Sequence, residues 1–136
     1  MAIFMQKVLN DEQPIVFGDG SQVRCFTFID DIVSGISTIM KNGAKGEAYN
    51  IANTDQITMK ELAELIINIS GKKLKPKIVG FGKDTRTKER EIMKRIPSIE
   101  KLKALGWNPI VGIQEGVKRT FNWYKENLGK EELFYS

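Results

Sequence analysis

"PIVFGDGSQVRCFTFIDD", residues 14–31, decides how this chain folds, because three structural habits follow one another within eighteen positions. Ile15, Val16 and Phe17 are apolar and favour extended backbone, Gly18 and Gly20 permit a turn, and β-favouring residues resume at Val23. The stretch reads as strand, glycine turn, strand. If residues 23–29 are extended, alternation puts Arg24, Phe26 and Phe28 on one face. Asp30 or Asp31 can then cap a helix in which Ile32, Val33, Ile36, Ile39 and Met40 recur at helical spacing, until "KNGAKG" ends it.

Working outward, "IFMQKVL" (residues 3–9) is helical in composition and has no cap ahead of it, as a longer helix cut short would. "GEAYNIAN" (46–53) is a short, mostly apolar run bounded by turn residues, which predicts a buried strand near 47–52 in a sheet with parallel neighbours. Thr58, Met59, Lys60 and Glu61 form a capping box, in which the Thr hydroxyl accepts the Glu61 amide and the Glu carboxylate returns to the Thr58 amide. Leu62, Leu65, Ile66 and Ile69 supply the apolar stripe of that helix, and Gly71 stops it. "KPKIVGF" is strand-like. Ser98 can cap a short helix carrying Ile99, Leu102 and Leu105 before Gly106, and Ile113, Val117, Phe121, Tyr124 and Leu128 form the seam of a last helix with Gly129 beyond it. Mixed strands and helices predict α/β or α+β architecture. With 136 residues, 41% apolar, and neither repeat nor linker, the expectation is one continuous domain over 1–136.

Composition removes several classes of chemistry. There is no histidine, so Ser-His and Cys-His nucleophile pairs cannot be built, and any proton transfer falls to Tyr, Lys or a carboxylate. Cys25 is the single cysteine, which excludes an intramolecular disulfide and the paired-cysteine zinc spacings, so no metal ligands are assigned. No apolar run approaches the roughly 18 residues of a membrane span, and the first residues lack the basic flank and cleavage site of a secretory signal. A cytoplasmic protein without membrane partners is expected.

The net charge of +4 is unevenly placed: residues 72–95 carry ten Lys or Arg against Asp84, Glu89 and Glu91. Such a run is commonly a solvated loop and also suits an anionic small ligand. Nucleic acid is a poor match, because Phe81 is the only aromatic within the run. Gly18-Asp19-Gly20-Ser21-Gln22-Val23 has valine where a dinucleotide fingerprint needs its last glycine, and Gly80-Phe81-Gly82 completes none either. A tight turn is the plain reading of Gly18 and Gly20. Arg24, between a turn and an aromatic strand, suits bidentate contact with phosphate or carboxylate and equally suits a surface ion pair.

Four stretches, "PIVFGDGSQVRCFTFIDDIVSGI", "GEAYNIAN", "ITMKELAELI" and "LKALGWNPIVGIQEGVKRTFNWY", stand in the order and spacing of a known family. From about residue 3 to about residue 124 the chain resembles the C-terminal part of the NAD-dependent epimerase/dehydratase family, the extended short-chain dehydrogenase/reductases that act on nucleotide sugars. The resemblance implies an α/β fold of helices with short strands, the substrate-binding portion of an enzyme whose N-terminal Rossmann part is missing here.

It also implies roles for individual residues. The arginine after the glycine turn binds the diphosphate of a nucleoside-diphosphate sugar, which assigns that role to Arg24; the strand before the turn lines the base pocket, which implicates the backbone of Ile15 and Phe17. A second phosphate-binding arginine comes from the variable loop before "LGW"; Arg95 is the nearest match, with Arg86 and Arg90 as competitors. Two departures stand out: Cys25 occupies a position commonly Asp, so any orientation of Arg24 by that acid is lost, and Ser98 replaces the Asp that usually starts the next helix.

The family's cofactor fingerprint, its Tyr-x-x-x-Lys and its Ser/Thr partner lie in the N-terminal region, and none occurs here: Tyr49 is followed four positions on by Asn53, Tyr124 by Leu128, and Tyr135 is next to last. No catalytic or cofactor-binding residue is therefore assigned. NAD or NADP belongs to the full-length enzyme, whose chemistry the resemblance gives as hydride transfer from the sugar, usually at C4, with a tyrosinate as base. Homodimers form in such relatives through helices of the missing part. The alternative is a non-catalytic nucleotide-sugar binding module or split subunit.

Overall fold

The computed structural model describes residues 1–81 and 91–127. The described residues fall into two compact units: the first draws on residues 1–21, 58–81, 91 and 117–127, the second on 22–57 and 92–116. Arg86, Arg90, Leu128, Gly129 and Tyr135, all named above, lie outside the described residues.

In the first unit, α1 (Ala2–Leu9) and α3 (Met59–Ser70) pack together, and α3 also meets β1 (Ile15–Phe17). Burial follows the helical period: Phe4, Met5 and Val8 on α1, and Leu62, Ala63, Ile66 and Ile67 on α3, are buried. The capping box forms as the spacing predicts, with Glu61 N–H donating to Thr58 Oγ1 at 3.1 Å and Thr58 N–H donating to Glu61 Oε2 at 2.8 Å. The Thr58 N–H, and the Thr58 hydroxyl that donates to the same Glu61 Oε2 at 2.7 Å, pull the Glu61 carboxyl below the usual carboxylate range. Gly71 ends α3 at φ 70°, in the left-handed region where a Cβ is unfavourable. β1 pairs in parallel with β4 (Lys77–Val79), in the register Ile15↔Lys77, Val16↔Ile78 and Phe17↔Val79. Lys72 closes the far end of α1, donating to the Leu9 carbonyl at 2.8 Å and pairing with Asp11 at 2.9 Å.

Gly18 and Gly20 both take positive φ, 69° and 77°, as the turn requires. Gly20 has a second reason to be glycine. A Cβ there would stand 2.8 Å from both Lys60 Cβ and Val16 Cγ1, so the turn is pressed against α3 and β1.

The second unit holds β2 (Val23–Cys25), α2 (Ile29–Asn42), β3 (Gln56–Thr58, its last residue shared with the first unit), α4 (Glu100–Lys103) and the first turn of α5 (Ile113–Asn127). Its core gathers Ala52, Ile99, Leu102 and Trp107, with Ile39, Tyr49, Ile51 and Leu105 packed against it. The strand after the glycine turn ends at Cys25, and β2 pairs with β3, so the two strands flanking the turn do not pair with each other. Two expectations are corrected here. α2 is entered from Phe28 with no side-chain cap, because Asp31 spends both carboxylate oxygens elsewhere: Oδ1 accepts the Ile110 N–H at 2.9 Å and Oδ2 the Val111 N–H at 3.1 Å. The segment 47–52 carries no strand assignment. A strand exists only against a neighbouring strand, and none of the described strands pairs with this segment. Tyr49 Oη accepts the Ala44 N–H at 3.0 Å and Asn50 Nδ2 donates to the Ser98 carbonyl at 2.9 Å.

Ser98 thus serves through its backbone, and α4 begins after Ile99 without a side-chain cap. Among the described residues, no helix is long and apolar enough to cross a membrane.

Candidate functional site

The site is built on a short parallel bridge. Val23 pairs with Lys94, with the Val23 N–H donating to the Met93 carbonyl at 2.7 Å and the Arg95 N–H donating to the Val23 carbonyl at 3.2 Å. In a parallel pair, residues in register project to the same side, so bridging 23 to 94 also sets Arg24 beside Arg95. The two arginines are 71 positions apart in sequence and become neighbours through two backbone hydrogen bonds. Arg24 Nη1 reinforces the arrangement by donating to the Ile92 carbonyl at 2.6 Å and to the Val23 carbonyl at 2.9 Å.

Arg24 and Arg95 open onto one cavity of about 420 Å³, whose described wall is completed by Cys25, Thr27, Tyr49, Asn50, Ile51, Ala52 and Pro97. Two arginines belong to this wall and no carboxylate appears among its described residues. An anion is the chemical complement. The wall is held in shape by buried polar contacts behind it: Thr27 Oγ1 accepts the Asn53 N–H at 2.9 Å, and Asn53 Nδ2 donates to the Val111 carbonyl at 2.9 Å. Burial, with a smaller contribution from the Asp55 carboxylate, pushes the Cys25 thiol up from its ordinary value. The thiol is therefore neutral near pH 7 and subtracts no charge from the cavity.

Of the four residues assigned from sequence, the structure brings Arg24 and Arg95 together. Ile15 and Phe17 lie on β1 in the other unit, where both are partly buried. The expected sharing of one face by Arg24, Phe26 and Phe28 does not extend that far, because β2 ends at Cys25 and Phe28 packs against Gly116 instead. The sequence reading missed Thr27, Tyr49 and Asn50 as wall residues. A signal was present in "YNIAN", where Asn50 and Asn53 interrupt an otherwise apolar run.

Gly20 of the glycine turn is packed against the side chains of Lys60 and Val16.

The chain is similar to known proteins over most of its length. The family model described as GDP-mannose 4,6 dehydratase matches residues 1–120. A UDP-glucuronate 4-epimerase from Thermodesulfobacterium geofontis is 37% identical over 94% of this chain and 39% of its own length. Among solved structures, the UDP-glucose 4-epimerase of Thermotoga maritima, determined with UDP-glucose, is 30% identical with a TM-score of 0.81, covering 93% of this chain and 39% of that one. The dTDP-glucose 4,6-dehydratase of Bacillus anthracis, in complex with NAD, is 27% identical with a TM-score of 0.79, covering 96% of this chain and 39% of that one. The chain thus spans about two fifths of the length of these relatives.

Proposed function

The chain belongs to the GDP-mannose 4,6 dehydratase family, within the extended short-chain dehydrogenase/reductases of nucleotide-sugar metabolism, and we propose that it is the substrate-binding portion of an NAD(P)-dependent nucleotide-sugar epimerase or dehydratase. One observation carries the reading. Arg24 and Arg95, set side by side by the Val23–Lys94 bridge, face a single cavity whose described wall holds no carboxylate. A diphosphate offers two adjacent anionic groups to two adjacent guanidinium groups, and Arg–phosphate contacts are planar, bidentate and charge-assisted.

In this reading Arg24 and Arg95 hold the diphosphate, and Thr27, Tyr49 and Asn50 supply hydroxyl and amide groups for the rest of the ligand. The complete enzyme uses NAD or NADP to oxidise the sugar transiently; this chain holds neither, and by itself it turns nothing over. The lone, unpaired Cys25 supports residence in the reducing cytoplasm.

The test is isothermal titration of the chain with UDP-, dTDP-, GDP- and CDP-sugars, with the free sugars as controls. One nucleotide-sugar class should bind, with an enthalpy that falls as salt rises, while free sugars give no heat. No binding by any nucleotide sugar, or equal binding of free sugars, would sink the reading.

A further inference from the structure

The described wall of the cavity is assembled from three stretches far apart in sequence, 24–27, 49–52 and 95–97. Hydrogen bonds join them in a ring. The first meets the third through the Val23–Lys94 bridge, and the second meets the first where the Asn53 N–H donates to Thr27 Oγ1. The ring closes at Asn50, whose Nδ2 donates to the Ser98 carbonyl at 2.9 Å across 48 positions of chain. Apolar packing also draws the second stretch toward the third, since Tyr49 and Ile51 lie against the cluster that contains Ile99. Such packing has no preferred direction. It keeps two stretches close without setting how a peptide group is turned, which a hydrogen bond does through its angles.

The segment from Arg95 to Ser98 carries that constraint to the arginine. The ring of Pro97 fixes its own φ, and Ile96, just ahead of it, is pushed to extended backbone. One end of the segment is held where the Arg95 N–H donates to the Val23 carbonyl at 3.2 Å, and the other where Asn50 binds the Ser98 carbonyl. A stiff strap pinned at both ends has little freedom to turn, and the Arg95 side chain leaves it at one of the pins.

We propose that Asn50 is a positioning residue for Arg95: its bond to the Ser98 carbonyl sets where the Arg95 side chain stands beside Arg24, and so how tightly the two arginines hold an anion. That the anion is a diphosphate rests on the proposed function. The positioning of Arg95 rests on the strap alone.

The test uses the whole chain carrying Asn50→Ala and reads it first without any ligand. Asn50 is exposed, so the substitution leaves the core intact, and circular dichroism checks that it does. In the free protein, hydrogen exchange of the Arg95 amide, followed by NMR, should quicken about threefold or more, while that of the Glu61 amide in the capping box stays as it was. Inorganic pyrophosphate, which has neither sugar nor base, should bind about three- to tenfold more weakly, the range for loss of one ordinary hydrogen bond. That loss should vanish in an Arg95→Ala background, because an effect exerted through a side chain disappears with it. The Glu47–Lys101 ion pair spans the same two parts of the chain at 2.6 Å but is solvent-exposed, so Glu47→Gln should change neither readout appreciably. Unchanged exchange at Arg95 overturns the proposal whatever binds. So does a pyrophosphate loss that persists in the Arg95→Ala background, which makes Asn50 an independent ligand contact, or an equal effect of Glu47→Gln, which makes the cause general loosening. If the native chain binds neither pyrophosphate nor a nucleotide sugar, the diphosphate reading fails, and exchange at Arg95 still decides the positioning.

Discussion

The carboxylate of Asp31 accepts the backbone N–H of Ile110 at 2.9 Å, and its other oxygen accepts that of Val111 at 3.1 Å, so one residue of α2 holds a loop 79 positions further along the chain. Asp31 is 1% exposed. Removing a buried acceptor leaves its donors desolvated and unpaired, at roughly 1–3 kcal/mol for each orphaned group. Asp31→Ala should lower stability by about 3 kcal/mol in urea denaturation, and Asp31→Asn, which keeps one acceptor oxygen, by about half as much. An unchanged midpoint for Asp31→Ala would mean that water replaces the carboxylate and that the loop does not depend on it.

Arg24→Ala should weaken nucleotide-sugar binding about ten- to a hundredfold, because a charge-assisted hydrogen bond contributes roughly 1.5–3 kcal/mol net. It also gives up the bonds to the Ile92 and Val23 carbonyls, so a modest loss of stability accompanies the loss of affinity. Arg24→Lys should recover part of the affinity, since an ammonium keeps the charge without the planar fork. Titration of both variants decides, and native affinity in Arg24→Ala would return this residue to a purely structural role.

For Arg95→Ala the direction is the same and the stability cost smaller, because the bond to the Val23 carbonyl comes from the Arg95 backbone and survives the substitution. The enthalpy of binding at low and high salt separates the two arginines from a general effect of net charge. If both variants lose equal affinity and the double variant loses no more, the two side chains act as one clamp.

Cys25 reports on the cavity through its chemistry. Burial raises its pKa, so less of it is thiolate at neutral pH than in an exposed cysteine, and the thiolate is the reactive form. Alkylation by iodoacetamide should be slower than that of glutathione at pH 7.5, and should rise with pH over a range displaced upward from that of the free thiol. A bound nucleotide sugar should slow it further, since Cys25 lies in the same wall as Arg24 and Arg95. A rate that ignores saturating ligand would place the ligand away from this wall.

Gly35→Ala tests the packing of α2 on residues 47–51. The added methyl would meet Ile51 Cγ2 at 2.6 Å, well inside van der Waals contact, and overpacking of this kind costs roughly 1–3 kcal/mol. The double variant Gly35→Ala with Ile51→Val should recover part of that loss in thermal melts. No recovery would mean that the backbone gives way instead of the Ile51 side chain.

The local elements were legible because they depend on neighbours in sequence. The capping box at Thr58 and Glu61, the αL stop at Gly71 and the apolar stripe of α3 all need only residues within a few positions of one another, and all formed. Asp31 shows where that reasoning fails. Judged by its neighbours it is a helix cap; in the fold it serves two amides that no local pattern connects to it.

The sequence by itself determined the helices, the glycine turn, the lack of histidine and, through four ordered motifs, the family. Only the tertiary structure decided which strands pair, that residues 47–52 have no ladder, that the chain forms two compact units, and that Arg95 stands beside Arg24. The physical reason is the range of the forces involved. Capping, turn geometry and helical period act within one or two turns of chain, whereas a strand's partner and a cavity's wall are set by contacts between residues far apart in sequence, whose choice depends on every other contact the fold makes.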